Sequence, residues 1–267
     1  MRHTILVLVL FLASIPARGF AHDYWLTLEP RFPDPTDTCT LRLWVGDKLV
    51  PELERPYQED ITTRYEWISG NDPVDLRRDL ADGTTPVLRR AMNGNASALV
   101  VMDRDFVDTE GTMADFRRFL EHEEQVELLS RVSGEPGDQP VTRRYARCLK
   151  ALLTSGIKDE TWLHAQPVGQ ALEIVLYDDP RDLARDAKLR VQVLFRGKPL
   201  AGELVRLFVE SEGGEVTEHK ATTSEHGLVS FRAAQGGLWV LRVAHVRPGE
   251  AQADWDTYYG TLSFMVL

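Results

Sequence analysis

The sequence predicts a mainly β protein, built as two β-sandwich-like halves with one amphipathic helix in the first half. Three observations carry this expectation. After Gln170, short runs rich in Val, Leu, Phe and Tyr recur about every 8 to 12 residues between Gly, Pro and charged turns. Before it, similar but less regular runs alternate with polar segments. The stretch 113–133 instead carries its apolar residues at helical spacing.

The chain opens on the layout of a secretory signal: Arg2, an apolar core from Ile5 to Ile15, Pro16, then Gly19 and Ala21 at the positions a signal peptidase reads. Cleavage between Ala21 and His22 is therefore expected, giving a mature protein in the periplasm or secreted. About 11 apolar residues do not cross roughly 30 Å of hydrocarbon, and no later run is long enough to span. Residues 1–21 carry two of the 31 basic residues and none of the 41 acidic ones, so cleavage takes the formal net charge from −10 to about −12. A surface this acidic repels phosphate backbones, which argues against nucleic acid as a partner.

In the first half, expected at 22–160, strand-like segments lie at 24–28, 38–45, 63–68, 98–102 and 141–153. Phe116, Phe119, Leu120, Val126, Leu129 and Val132 place one amphipathic helix at about 113–133, closed by Gly134-Glu135-Pro136-Gly137. The polar stretch 155–166 reads as a linker. The second half, 168–267, carries seven strands at 171–177, 189–195, 204–210, 216–222, 228–232, 238–246 and 258–266, the number and spacing of a sandwich. Cys39 and Cys148 each sit in an apolar run; export permits a disulfide between them, and two separate buried thiols fit equally.

Several chemistries are excluded. The chain has no phosphate-binding Gly loop, no G-x-G-x-x-G after a strand and no G-x-S-x-G elbow. His122-Glu123-Glu124-Gln125-Val126 begins like a zinc-protease helix but has Val where the second His belongs. Asp178-Asp179-Pro180-Arg181-Asp182 lacks the ligand spacing of a calcium loop and reads as a turn.

His22 is the feature with positive content. A His at a free N-terminus offers its α-amine and ring Nδ1 to one metal ion. The amine, with a pKa of roughly 7.7 to 8.0, has little proton to displace near neutrality. Nitrogen ligands favour nickel, copper or zinc over magnesium or calcium. A second His is needed to complete such a site, and His245, at the end of the apolar run 237–244, is the best placed. Asp254 is a third candidate. His164 is a weaker one, and His219 and His226 lie beside charged turn residues.

Gly236-Gly237-Leu238-Trp239-Val240, His245 and the run Ala253 to Phe264 resemble the periplasmic domain-of-unknown-function proteins described as nickel-uptake substrate-specific components. Ala21 to Leu26, Gly169 to Val175 and Gly197 to Gly202 agree with the same pattern. The resemblance implies an exported β protein concerned with nickel or cobalt, a membrane metal transporter as partner, and a His matching His245. It also implies a second half similar to transthyretin-like and collagen-adhesin sandwiches, immunoglobulin-like in strand arrangement. His226-Gly227 stands where that pattern usually has Asp-Gly.

The function expected is thus an exported metal-binding protein for nickel, copper or cobalt, using His22, His245 and Asp254, without catalysis. The rival is a sandwich for protein or glycan contact through Trp239, Trp255, Tyr258 and Tyr259. A third possibility is an oxidative copper enzyme with a two-histidine brace.

Overall fold

The computed structural model describes residues 22–70, 72–232, 235–250 and 252–267. The expected signal segment lies outside the described residues. The strands of the first half are β1 (Asp23–Glu29), β2 (Thr38–Asp47), β3 (Val50–Arg55), β4 (Thr62–Ile68), β5 (Val74–Asp75), β6 (Leu88–Ala91) and β7 (Ser97–Thr112). Then come α1 (Met113–His122), α2 (Val126–Val132) and β8 (Pro140–Thr154). The second half holds β9 (Leu172–Leu176), β10 (Lys188–Phe195), β11 (Lys198–Pro199), β12 (Leu204–Glu210), β13 (Val216–Thr222), β14 (Leu228–Arg232), β15 (Gly237–Pro248) and β16 (Trp255–Val266).

Eight of these strands form one sheet in the order β13-β12-β15-β16-β8-β7-β4-β5. Its strands come from both sides of the expected linker, joined where β16 runs parallel to β8. Every other neighbouring pair in that sheet is antiparallel. Successive side chains on a strand point to opposite faces, and here both faces are apolar. On β15, Trp239, Leu241 and Val243 pack with β9, β10 and β14, whereas Leu238 and Val240 pack with Trp25 of β1. β8 divides in the same way: Cys148 and Leu152 face the β9-side layer, and Leu149, Ala151 and Leu153 face Leu41 and Leu43 of β2.

The result is three β layers. The central sheet is covered on one face by β1, β2, β3 and β6 together with α1 and α2, and on the other by β9, β10, β11 and β14. The mainly β sandwich expectation holds, with the two sandwiches sharing their middle sheet.

Two local differences from expectation have clear causes. β7 runs ten residues beyond the apolar segment 98–102, because Asp103 to Thr112 alternate polar side chains over a half-exposed edge of the pairing with β8. The expected single helix is two. A Thr112–Asp115 capping box starts α1, and Glu124 takes φ 56°, which ends it. The break turns Glu123 inward onto Arg242, while Glu124 stays exposed and meets Arg206 of the sheet.

At the start of β15, Gly237 has φ +131°, and a Cβ there would lie 2.1 Å from the Glu210 carbonyl oxygen of β12. That contact is with backbone, so no rotamer relieves it. Gly237→Ala is expected to lower stability by more than about 1 kcal/mol. A urea melt superimposable on the wild type would show that β12 can move aside at no cost.

Both cysteines are free, and they are buried in different clusters, Cys39 beneath β1–β2 and Cys148 beneath β9–β10. Burial pushes the Cys39 thiol up to about 11 and that of Cys148 to about 12. Neither thiol is reactive near neutral pH.

Candidate functional site

Where the helices and the β1 layer meet on the central sheet, they leave a pocket of about 230 Å³. Its floor is set by strand alternation. Arg143, Tyr145 and Arg147 are every second residue of β8 and so share one face, and Tyr259 of β16 is the register neighbour of Arg147. Tyr24 of β1 and Phe119 of α1 form walls, and His22 stands at the rim.

Aromatic rings hold the two guanidiniums. Arg147 lies 3.9 Å from the Tyr24 ring centroid, 4.5 Å from that of Tyr145 and 5.3 Å from that of Tyr259. Arg143 lies 5.3 Å from the centroid of Phe119 and 5.9 Å from that of Phe116. Among the described residues, no carboxylate comes within ion-pair distance of either. Burial lowers the pKa of Arg143, with Tyr259 and Asp115 opposing the shift, and its Nε is buried without a hydrogen-bond partner. A third guanidinium, Arg104 of β7, also stacks on Tyr24, and burial brings it down to about 10. Arg144, between the two, is different: Asp256, fully buried, takes its Nε at 2.6 Å and Nη2 at 2.9 Å. In a chain of net charge −10, this pocket is a local excess of positive charge.

Behind it, Arg242 of β15 is buried between two carboxylates. Glu123 accepts its Nη1 at 2.7 Å and Nη2 at 2.6 Å, and Asp23 pairs with its Nε. Burial alone would raise the Glu123 pKa, but the facing guanidinium overrides it and holds the carboxyl at about 2. For Asp23 burial wins, and its pKa is raised.

The residues expected to hold a metal are not gathered. His22 is exposed before β1, with its ring Nδ1 3.5 Å from Glu52 Oε2 of β3. It lies on the sheet face that carries α1. His245 points to the opposite face, packing on Phe195 at 4.6 Å, with Nδ1 2.5 Å from Glu203 Oε1. The sheet stands between the two histidines because Arg242, which meets Asp23 beside His22, is three positions from His245, an odd number on a strand. Asp254 accepts from Thr142 N at 2.8 Å and Oγ1 at 2.9 Å, closing the start of the parallel β8–β16 pair. Among the described residues, no three His, Cys, Asp or Glu side chains are grouped to hold an ion.

His164 and His226 fare differently. His164 borders a second pocket of about 460 Å³ with Asp159, Asp178, Asp179 and Asp182. Arg181, Arg190 and Lys158 already pair with all four carboxylates. His226 is exposed in its turn, 3.6 Å from Glu225.

The four aromatics of the contact-module rival are mostly core. Trp239, Tyr258 and Tyr259 are buried, and Trp255 packs on Phe116 at 4.9 Å. What the sequence reading missed is the alternation Arg143-x-Tyr145-x-Arg147. Two cations and an aromatic at period two on a strand mark one charged face, and that signal was present in the sequence.

A family model described as a domain of unknown function, DUF4198, matches residues 19–247. None of the curated proteins matches the chain. Among solved structures, the chain is similar to a tetra-tandem repeat in the extending region of a large adhesion protein, at 12% identity and a TM-score of 0.23. That match covers 92% of this chain and 49% of the other, so the chain spans about half of that structure's length. It is also similar to the D0-D1 domain of intimin, at 11% identity and a TM-score of 0.21, over 90% of this chain and 96% of that one.

Proposed function

The chain belongs to the DUF4198 family, whose function is unknown, and from that premise we propose that it is an exported metal-binding protein whose site is made by processing at His22. The observation that carries the reading is the approach of His22 Nδ1 to Glu52 Oε2, 3.5 Å, with both side chains about half exposed. If the mature chain starts at His22, its α-amine joins the ring nitrogen in one chelate, and Glu52 supplies an oxygen from the neighbouring strand. Two nitrogens and a carboxylate suit nickel, copper or cobalt. The ion is cargo on this reading. The resemblance to nickel-uptake components makes nickel the first to try and a membrane metal transporter the receiver. No described helix is long and apolar enough to cross a membrane.

His245 and Asp254 leave the ligand set, for the reasons of place given above. Calorimetric titration of nickel or copper into the chain beginning at His22 is expected to show one site. A Met placed before His22 should abolish it, and Glu52→Gln should weaken it by about tenfold or more. Undiminished binding by the extended chain would defeat the proposal. An oxidative copper enzyme would in addition turn over peroxide on a polysaccharide, which a carrier does not.

A further inference from the structure

We infer that the pocket bounded by β1, α1 and the β8–β16 floor binds a small organic anion with two or three carboxylate groups, held by Arg143 and Arg147. The inference does not depend on the metal reading.

Two half-buried guanidiniums border one cavity, and among the described residues neither has a carboxylate at ion-pair distance, Asp115 acting on Arg143 only from farther off. Several other buried or half-buried arginines are answered by carboxylates, Arg242 by Glu123 and Asp23, Arg181 by Asp179 and Asp159, Arg206 by Glu218 and Glu124, and others by neutral acceptors, Arg104 by Gln58 and Arg117 by backbone carbonyls. Even Arg144, between the two, has its own carboxylate in Asp256. In a chain with 41 acidic and 31 basic residues, two guanidiniums without an ion pair that border one cavity make a local positive charge that an anionic ligand would neutralise.

The geometry also suits a carboxylate. A guanidinium stacked by its face on an aromatic ring keeps its N–H donors in the plane, free to make the paired contacts that a planar carboxylate accepts. Arg147 is held between three tyrosine rings, so its orientation is set before any ligand arrives and little side-chain freedom is lost on binding. The remaining lining separates an organic anion from phosphate or sulfate. Tyr24, Tyr145, Tyr259 and Phe119 offer ring surface to a carbon skeleton, which an inorganic anion lacks. A volume of about 230 Å³ limits the ligand to metabolite size.

The test is calorimetry on metal-free protein beginning at His22, with citrate, succinate, acetate, phosphate and sulfate as separate titrants. Citrate or succinate should bind, with acetate, phosphate and sulfate each at least about tenfold weaker. Arg143→Gln and Arg147→Gln should each weaken the polycarboxylate by about ten- to a hundredfold. Thr109→Trp, which fills the pocket from β7 without removing a charge, should abolish binding while leaving the thermal midpoint near that of the wild type. It keeps the question open if an arginine variant fails to fold. Arg190→Gln, at an exposed pair with Asp178, should change nothing. The inference is overturned if no polycarboxylate binds at millimolar concentration, if phosphate or sulfate binds more tightly than citrate, or if Thr109→Trp binds as the wild type does. Since no metal is present, each of these results leaves the proposal at His22 untouched.

Discussion

Replacing Arg242 by Met is expected to cost about 3 to 5 kcal/mol of unfolding free energy at neutral pH, the largest effect of any single change considered. Arg242 is 4% exposed and Glu123 2%. Removing the guanidinium leaves the buried Glu123, with His122 as its remaining neighbour, facing a largely buried Asp23. The cost comes from the stranded carboxylates and less from the lost attraction, since buried pairs gain little net energy when intact. The pH dependence separates these causes. Glu123 ordinarily titrates near 4.5 and is held at about 2 in the fold, so its contribution is complete above about 4.5 and disappears as the pH falls toward 2. Asp23, whose pKa is raised, acts in the opposite sense and trims that loss. The variant has no such contribution to lose, so urea melts should show the gap between it and the wild type narrowing from pH 7 to pH 3. A gap of constant size would mean that lost packing, not charge, is responsible. Loss of this contact should also loosen the α1–α2 junction, because Glu123 is its anchor to the sheet.

The second large effect is expected at Lys150, in the middle of β8. Its Nζ lies 3.0 Å from Glu173 Oε1, with both side chains nearly sealed from solvent, and the same carboxylate accepts from Val168 N at 2.6 Å and Gly169 N at 2.9 Å. The pair ties the central sheet to the segment that leads into β9. Lys150→Met should destabilise by a similar amount, about 3 to 5 kcal/mol, by leaving Glu173 charged and without a cation. Adding Glu173→Gln should recover part of that loss, since the charge is gone and the amide oxygen still accepts from one of the two backbone donors, while the amide NH2 faces the other. If the double variant is as unstable as the single, the stranded-charge account of Lys150 is wrong. By contrast, the exposed pair of Arg190 and Asp178 should contribute no more than about 1 kcal/mol.

Much of the fold was legible because a strand's signal is local. The seven runs after Gln170 each correspond to a strand of the structure, most within a residue or two at each end, since alternation, β-branched residues and Gly or Pro turns all act within a few residues. Weak strands such as β3 and β6 were not legible. Val50 to Arg55 and Leu88 to Ala91 carry too much charge and Pro to look like strands, and they exist because β2 offers them a hydrogen-bonding edge. The helix was read correctly in its apolar face and wrongly in its continuity. Glu123 and Glu124 leave the helix to meet Arg242 and Arg206, more than eighty residues distant in sequence, and no periodicity encodes that.

The candidate site divides in the same way. Sequence alone determined that His22 is chemically special if cleavage exposes it, since that follows from a terminal amine beside an imidazole. It also determined which histidines were available as partners. Only the tertiary structure decided between them, because whether two residues share a site depends on which face of a sheet each presents and which strands lie alongside. It put His245 across the sheet from His22, gave Asp254 to Thr142, and brought Glu52 to His22. The same folding gathered Arg143 and Arg147 with tyrosines from three strands into one pocket. Their alternation was visible along the chain; that no carboxylate of the described residues reaches ion-pair distance of either was set by long-range packing.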